Sequence, residues 1–454
     1  MNLNNVRVLV DGYNLELQQG TGVKTYGVSL VQALKELQAQ ISILYSISLK
    51  TNKNQAKELT EALFFDLNSR YVNNYLRTIY FFKTINSYSF KTLTSIPIQT
   101  KQLHLSNSVI RDSQDVVGSE LLQYAKVFNL PLCYQLANLI FNNFNIEQKI
   151  KAPESIDIWH ATYPLPISVK GAKKITTIHD LIPLRLPYTT LDDKDFFYRL
   201  VKKAIKTSDL IITVSENTRK DLIEIYNCPQ EKIEITYQPI AIDRSSQQED
   251  RLGIYLRKYN LKYQQYILFV GAIEPKKNLG RLIDAYAMSS STMPLVIVGK
   301  KGWLWEKDLA KIDFLFKSDT KDSDKKKSES KKAIVLDYIA REDLKYLYQG
   351  AYCLVFPSLY EGFGLPPLEA MTFGCPVITS NVSSLPEVCG DAALYIDPYY
   401  TDSLADTLER LTSDRSLREN LSQAGKIRAD LFSQENYIKR LSLAYQKVLS
   451  SSKK

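Results

Sequence analysis

The chain has 454 residues, of which 44% are hydrophobic and 24% charged, and its formal net charge is +9. This length favours two or three domains, and the composition is typical of a soluble globular protein with a large core. The positive excess is mild for this length and no basic stripe for nucleic acid stands out, and no run of about 18 apolar residues predicts a membrane span.

The first half of the chain alternates strand-like and helix-like segments. "VRVLVDGYN" predicts a buried strand, and "GTGVKTYGVSLVQALKEL" predicts a glycine loop that leads into an amphipathic helix. Residues 51–150 are less regular, and within them "SELLQYAKVFNL" and "CYQLANLIFNNF" have helical spacing. The alternation then resumes with the strands "IDIWH" and "ITTIH". It predicts a parallel sheet with crossover helices.

Two loops of this half have competing interpretations. "GTGVKT" at 20–25 lacks the Gly-Lys-Ser/Thr order of a P-loop, so either Gly20 and Gly22 approach a ligand or the loop is a tight turn. The acidic "LDDKD" at 191–195 precedes the helical "FFYRLVKKA". We interpret it as a helix N-cap rather than a metal site, because carboxylates stabilise the positive end of a helix.

Two histidines follow predicted strands, and ligands of α/β proteins lie beyond the carboxyl ends of strands. We expect a functional role for His179, which Asp180 follows directly, and a structural role for His160. Neither histidine has the spacing of a zinc site. The sequence therefore predicts no metal and no cofactor.

The second half begins after a polar segment, "IAIDRSSQQEDRLG", which we interpret as a linker. A second series of strands and helices follows, from "YILFVGAIEP" to "AALYIDP". Two doubly wound domains in series place a ligand in the cleft between them. We interpret the charged segment at 317–332 as a mobile surface loop, with contact to an anionic membrane as the alternative.

The five cysteines are scattered without a C-x-x-C pair, which indicates reduced thiols. The opening "MNLNNVRVLVDGYN" reads as a strand rather than a signal peptide. We therefore expect a cytoplasmic protein. Peripheral contact with the anionic inner face of the plasma membrane, which the net charge favours, is left open.

The segment "PSLYEGFGLPPLEAMTFGCPVITS" carries two glutamates around a glycine turn. "PPLEAMTFG" predicts a short helix with prolines in its first turn and Gly374 just past its end. The turn at 361–364 therefore lies at a helix N-terminus, where free N–H groups and the helix dipole bind phosphate. Carboxylates repel phosphate, so we expect Glu361 and Glu369 to contact uncharged hydroxyl groups of the same ligand.

Lys276 and Lys277 follow the predicted strand "ILFVGAIEP". They lie either in a solvated loop or against a diphosphate, across the pocket from the glycine turn. The phosphate-binding character of that turn favours the diphosphate.

These segments together resemble the retaining glycosyltransferases of family 4. The resemblance rests on "VGAIEPKKNLGRLIDAY", on the E-x7-E signature within "EGFGLPPLEA", and more loosely on "TIHDLIP". It covers the chain except about 51–150 and 317–332. It implies the GT-B fold, an α/β protein of two doubly wound Rossmann-like domains facing across a cleft. We place the acceptor domain at 1–242, the nucleotide-sugar domain at 243–432, and a helix that crosses back to the first domain at 433–454.

The resemblance also implies roles for single residues. Glu369 would bind the ribose hydroxyls, and Glu361 would lie by the donor sugar. Lys277 would bind the diphosphate, and His179 would lie near the 6-position of the sugar. Backbone N–H groups near the sugar and phosphate would come from Gly362, Phe363, Gly364 and Leu365.

The chain departs from the family at one basic position. The family often has Gly-Arg after the strand, where this chain has Gly271 and Ala272. Relatives with "EPRKN" carry a basic residue directly before the lysine, and Lys276 occupies that place. Lysine lacks the bidentate fork of arginine, so the diphosphate would be held by point charges.

The loop sequences "EPKKN" and "YEGFGLPPLEAM" resemble those of bacterial mannosyl- and rhamnosyltransferases of polysaccharide assembly. This implies GDP-mannose as the first candidate for the nucleotide-sugar donor, and a glycan or lipid-linked saccharide as acceptor. Double displacement and same-face attack both account for retention, and by resemblance Glu361 positions the donor rather than attacking it. Two alternatives stay open: a nucleotide-sugar-binding protein without catalysis, and a phosphorylase or sucrose-type enzyme on the same fold.

Overall fold

The computed structural model describes residues 2–16, 22–48, 57–65, 87–105, 119–242, 249–316, 331–337 and 339–451. Of the segments interpreted above, residues 20–21, residues 243–248 of the linker, residues 317–330 and much of 51–118 lie outside these ranges. Lys331, at the described end of the charged segment, donates to the carbonyls of Tyr286 (2.7 Å) and Ala287 (2.8 Å).

The bounds of the elements are as follows. The strands are β1 Arg7–Asp11, β2 Gln40–Tyr45, β3 Ile98–Gln99, β4 Lys101–Leu103, β5 Ala125–Asn129, β6 Gln148–Lys151, β7 Ile158–Ala161, β8 Ile167–Val169, β9 Lys173–Ile178, β10 Leu210–Thr213, β11 Ile233–Ile235, β12 Ile267–Val270, β13 Leu295–Val298, β14 Ala333–Leu336, β15 Cys353–Phe356, β16 Val377–Ser380 and β17 Leu394–Ile396. The helices are α1 Gly22–Glu36, α2 Lys57–Phe65, α3 at 87–93, α4 Cys133–Phe144, α5 Ile182–Arg185, α6 Lys194–Thr207, α7 Glu216–Tyr226, α8 Glu249–Lys258, α9 Leu279–Met288, α10 Glu306–Phe316, α11 Arg341–Gly350, α12 Leu365–Thr372, α13 Leu385–Cys389, α14 Thr401–Ser413, α15 Arg415–Asp430 and α16 Gln434–Ser450.

Most of these strands form two large sheets. The first has the order β11-β10-β9-β7-β1-β2-β5-β4, and its edge strand β4 runs antiparallel to β5. The second has the order β14-β13-β12-β15-β16-β17 and is parallel throughout. In each sheet the chain starts at a central strand, β1 or β12, and adds further strands on one side of it. It then returns and adds strands on the other side, which is the doubly wound arrangement. The predicted α/β architecture of two such sheets is confirmed.

The strands at the centre of the second sheet are apolar on both faces. All four residues of β12, "ILFV", and of β15, "CLVF", are buried, as expected for parallel strands covered by helices on both sides. The acidic segment before α6 is a helix cap, because the Asp193 side chain accepts a hydrogen bond from the Phe196 N–H at 3.0 Å. The capping interpretation of "LDDKD" is therefore confirmed.

The helical interpretation of "SELLQYAKVFNL" was wrong. The structure has a 3-10 turn at Ser119–Gln123, followed by strand β5. Pairing with β2 on one side and β4 on the other buries Val127 and Phe128, and this packing outweighs the helical spacing. A small parallel sheet, β3-β6-β8, was also missed. Its strands are two to four residues long, which is too short for a readable alternation.

The last helix, α16, lies against the first sheet. Lys173, on β9, donates to the Val448 carbonyl at 2.6 Å, and Lys447 lies 2.5 Å from the carboxylate of Glu234 on β11. The predicted linker is helical from Glu249, where α8 begins. The division of the chain at residues 242 and 432 stays a proposal.

His160 is a core residue between the first sheet and α16. Its Nδ1 lies 2.7 Å from the Tyr445 hydroxyl, and its Nε2 lies 2.8 Å from the Thr177 hydroxyl. The ring is fully buried, and burial lowers its pKa to about 3. A neutral imidazole with both nitrogens bonded ties the helix to the sheet, which is the structural role expected for it.

All five cysteines are free thiols and buried. None of the helices in the described part of the chain is both long and apolar enough to cross a bilayer.

Candidate active site

The candidate site lies at the point in the second sheet where the winding direction reverses. Strands β12 and β15 are neighbours there, with Ile267 opposite Cys353, and their connections leave in opposite directions. The loops that follow them, 271–278 and 357–364, therefore flank one crevice at the carboxyl edge of the sheet. Ligands of doubly wound proteins bind at such a switch point.

Lys277 and Glu361 meet in this crevice. Lys277 ends the 3-10 turn Pro275–Lys277, and its Nζ lies 2.5 Å from Glu361 Oε1. The Lys277 and Glu361 side chains are 13% and 11% exposed, and the Lys277 ammonium also lies 5.0 Å from the centre of the Phe356 ring. The family resemblance implies that Lys277 binds the diphosphate and that Glu361 lies by the sugar. The structure brings these two side chains into direct contact.

Lys276 carries a second positive charge beside this pair. Its Nζ lies 3.3 Å from the Glu274 carboxylate. Burial alone would lower its pKa, but the negative charges of Glu274, Glu361 and Asp180 raise it above the usual value. The side chain is 24% exposed, so its ammonium stays charged and within reach of solvent.

The glycine turn is held by serines from the next helix connection. The Ser384 hydroxyl donates to the carbonyls of Glu361 (2.9 Å) and Phe363 (2.7 Å), and the Glu361 N–H donates to Ser383 Oγ (3.0 Å). Gly364 has φ of +111°, which a residue with a side chain rarely adopts, and Leu365 begins α12. The first N–H groups of a helix have no partner within the helix, so the start of α12 can offer them to a ligand.

Glu369 lies within α12, four residues after Leu365. It is buried in α12, and the Tyr348 hydroxyl of α11 donates to its Oε2 at 3.0 Å. This bond fixes the carboxylate in one orientation. An oriented, desolvated carboxylate is a strong acceptor for ligand hydroxyls.

The turn also touches the first sheet. A Cβ atom on Gly362 would lie 2.4 Å from the His179 carbonyl oxygen and 2.9 Å from the Asp180 Cβ. No side chain fits there, so glycine is required for the turn to reach the residues that follow β9. His179 and Glu361, 182 positions apart in the chain, thus belong to one crevice.

The His179 ring is oriented by a backbone group. Its Nε2 lies 2.9 Å from the Thr162 carbonyl and must donate to it, and the Tyr26 ring packs edge-on at 4.9 Å. Burial lowers its pKa to about 4. Near pH 7 the imidazole is therefore neutral, and its Nδ1 is an acceptor suited to a hydroxyl group.

Gly22 is the first residue of α1, and its carbonyl accepts from Gln238 Nε2 at 3.0 Å. The neighbouring Tyr237 ring lies 6.3 Å from the Phe363 ring, so this helix start is close to the glycine turn. A Cβ atom on Gly22 would meet no described atom within 4 Å. As far as the described residues go, the space at this point is open, as an approaching ligand needs.

A set of contacts missed by the sequence interpretation joins the two halves. The Tyr360 hydroxyl donates to the Asp221 carboxylate at 2.5 Å and accepts from Asn217 Nδ2 at 2.7 Å. The Glu387 carboxylate accepts from the N–H groups of Glu216 (2.6 Å) and Asn217 (3.1 Å) and so caps α7 from the other half. Partners this far apart in sequence leave no local pattern that could have revealed them.

Among the described residues, no group of three or more His, Cys, Asp or Glu is placed to hold a metal ion. The polar groups beside the crevice are instead two lysines, Glu361, one neutral histidine and a helix N-terminus, and the helix itself carries the buried Glu369. Such a set suits a ligand that carries both phosphates and hydroxyls.

Two family models match the chain. Residues 255–428 match the model "Glycosyl transferases group 1", and residues 110–244 match "Glycosyltransferase Family 4". The first match contains the whole crevice of the second sheet, and the second contains His179.

Among curated proteins, the chain is similar to O-antigen mannosyltransferases. It is 34% identical to O-antigen chain mannosyltransferase B of Escherichia coli over 299 residues, which cover 64% of this chain and 74% of that protein. It is 30% identical to O-antigen chain mannosyltransferase RfbU of Salmonella typhimurium over 223 residues, 49% of this chain and 56% of that protein.

Solved structures share the fold across the full chain. Sucrose-phosphate synthase from Thermosynechococcus elongatus superposes with a TM-score of 0.64 at 15% identity, covering 99% of this chain and 100% of that one. HepE of Anabaena, in complex with UDP and glucose, gives a TM-score of 0.62 at 13% identity, covering 98% of this chain and 100% of that one. These neighbours confirm the GT-B fold. With both family models and a relative matched over most of its length, the chain belongs to the GT-B glycosyltransferases that join a Glycosyltransferase Family 4 region to a Glycosyl transferases group 1 region.

Proposed function

We propose that this glycosyltransferase moves a mannosyl residue from GDP-mannose, with retention of configuration, to a glycan or lipid-linked saccharide in cell-surface polysaccharide synthesis. The observation that carries the proposal is the Lys277–Glu361 ion pair beside the start of α12, the helix that also carries the buried Glu369, at the switch point of the second sheet. The mannosyltransferase names of the similar proteins support the choice of sugar and of pathway class.

The diphosphate of the donor is assigned to the start of α12 and the two lysines. Negative charge grows on the diphosphate as its bond to the sugar breaks. Fixed cations and N–H dipoles stabilise that charge best when they are in place beforehand. Lys277 is held by its contacts with Glu361 and Phe356, so little reorganisation is needed when the leaving group departs.

The two glutamates contact the uncharged parts of the donor, which are the ribose and the transferred sugar. Glu369 accepts from the ribose hydroxyls, with its orientation set by Tyr348. Glu361 lies by the sugar, where its ion pair with Lys277 suits it to positioning rather than to nucleophilic attack. The neutral His179 accepts from a sugar hydroxyl on the side of the first sheet.

We place the enzyme in the cytoplasm, with peripheral contact to an anionic membrane surface. The net charge of +9 supports such contact, since anionic lipid attracts basic protein surfaces.

A panel of nucleotide-sugars tests the proposal. GDP-mannose, GDP-fucose, UDP-glucose and UDP-N-acetylglucosamine are added separately at equal concentration, and the melting temperature and the release of free nucleoside diphosphate are measured. GDP-mannose should stabilise the protein most, by about 2.7 kcal/mol when present at a hundred times its dissociation constant, and should be hydrolysed slowly.

Each other outcome has a distinct meaning. If only a UDP-sugar stabilises the protein and is turned over, the donor is that UDP-sugar rather than GDP-mannose, and the protein is still a glycosyltransferase. Binding without any turnover would favour a nucleotide-sugar-binding protein without catalysis. No stabilisation by any member of the panel would contradict the proposed function.

A further inference from the structure

A cavity of about 140 Å³ lies beside the carboxyl edge of the first sheet. Tyr13 and Tyr163, which line it, follow β1 and β7 by two residues each. Asn138 of α4, together with Asp192 and Phe196 at the start of α6, closes the other sides. An apolar cavity of roughly 150 Å³ accepts one six-membered ring, so this one has the size of a single ring.

The lining combines aromatic faces with hydrogen-bond acceptors. The Tyr13 and Tyr163 rings lie 6.1 Å apart and are inclined by 30°. The Oδ1 atom of Asn138 is buried and finds no hydrogen-bond donor among the described residues. Asp192 is exposed at the rim. A buried acceptor needs a donor, and hydroxyl groups that project from a ring would supply one.

The charges around the cavity select against anions. Asp192 and Asp193 both line it, and the Tyr163 phenol has its pKa raised by burial and then by the negative charges of Asp180 and Asp192. A phosphate or carboxylate would be repelled here, whereas a neutral polyol would not. The chemistry therefore fits an uncharged sugar ring.

The cavity adjoins the crevice of the donor. Thr162, the residue before Tyr163, is the link, because its carbonyl accepts from His179 Nε2 at 2.9 Å and the His179 carbonyl lies at the Gly362 backbone. The Asp180 side chain also lies against the Gly362 backbone. A sugar ring in the cavity would thus lie next to the turn that is assigned to the donor.

We propose that this cavity binds the terminal sugar ring of the acceptor saccharide, with Tyr13 and Tyr163 packing on the ring and Asn138 and Asp192 accepting from its hydroxyls. The inference rests on the proposed function and extends it, because it assigns the acceptor to named residues and to one uncharged ring rather than to a lipid or a phosphate.

The test separates acceptor binding from donor chemistry. Saturation-transfer NMR is recorded with methyl α-D-mannopyranoside, methyl α-D-glucopyranoside and methyl N-acetyl-α-D-glucosaminide on the wild type and on Asp192→Asn and Asn138→Leu. The matched control is Asp195→Asn, an exposed aspartate on α6 that pairs with Arg199 outside the cavity. Slow hydrolysis of GDP-mannose without acceptor is measured on the same samples.

At least one glycoside should bind the wild type and the control, and each cavity variant should weaken that binding about tenfold or more, since Asn138→Leu removes an acceptor of a ligand hydroxyl and Asp192→Asn replaces a charged acceptor by a weaker neutral one. Donor hydrolysis should stay within about twofold. Absence of binding by all three glycosides, or equal binding to wild type and both variants, would overturn the inference. Because the binding readout needs no donor, failure of GDP-mannose turnover would count against the proposed function alone.

Discussion

Replacing Lys277 by alanine should lower the kcat of GDP-mannose turnover by at least about a hundredfold, which corresponds to ~2.7 kcal/mol of lost transition-state stabilisation. The N-terminus of α12 supplies only about half an elementary charge, and the family's arginine is replaced by Ala272. A departing diphosphate therefore depends on the full charge of Lys277, which is already held in the crevice.

The ion pair with Glu361 requires a matched control. Removal of Lys277 leaves the mostly buried Glu361 carboxylate without its lysine, and that charge would itself repel the donor. The double variant Lys277→Ala with Glu361→Gln removes this repulsion. We expect it to stay at least as slow as Lys277→Ala, since the missing cation is the cause of the loss.

Lys276 serves as the neighbouring comparison. It is paired with Glu274 and more exposed than Lys277, so Lys276→Ala should reduce kcat less. Lys276→Arg should keep or raise the activity, because a guanidinium fork matches phosphate better than an ammonium. Near-normal kcat in a Lys277→Ala protein with unchanged circular dichroism and melting temperature would show that the diphosphate leaves elsewhere.

Replacing Glu369 by alanine should weaken GDP binding by about one to two orders of magnitude, the value of a charge-assisted hydrogen bond of ~1.5–3 kcal/mol. The carboxylate is buried, and Tyr348 holds one of its oxygens. Both features favour a firm contact with the ribose hydroxyls. Titration calorimetry with GDP measures the affinity directly.

Tyr348→Phe is the control for this effect. It removes the hydroxyl that orients Glu369 but keeps the carboxylate and the ring, so GDP affinity should fall by less than in Glu369→Ala. If a folded Glu369→Ala protein binds GDP as tightly as the wild type, the ribose does not lie on this residue.

The architecture was predictable because its signals are local. Apolar runs such as "ILFV" and "CLVF" are strands whatever surrounds them, and the glycines and prolines after β15 mark a turn and a helix start. The segment that became β5 was misread, because its pairing with β2 and β4 depends on residues about 20 to 85 positions away.

The site was predictable only in part. The sequence and its family resemblance named Glu361, Lys277 and His179 one by one. The contact between Lys277 and Glu361 and the approach of Gly362 to His179 come from the closure of two sheets. Tyr360, Asn217 and Glu387, which hold the halves together, carry no motif. Long-range contacts of this kind are set by packing rather than by spacing.

The most direct measurement is the anomeric configuration of the sugar first released from GDP-mannose, followed by proton NMR before mutarotation. Release of GDP together with α-mannose is predicted, because the donor is α-linked and the proposed reaction retains that configuration. The Lys277→Ala protein should release neither at a comparable rate. Release of β-mannose first, or no release of GDP from GDP-mannose by the wild-type protein, would contradict the account.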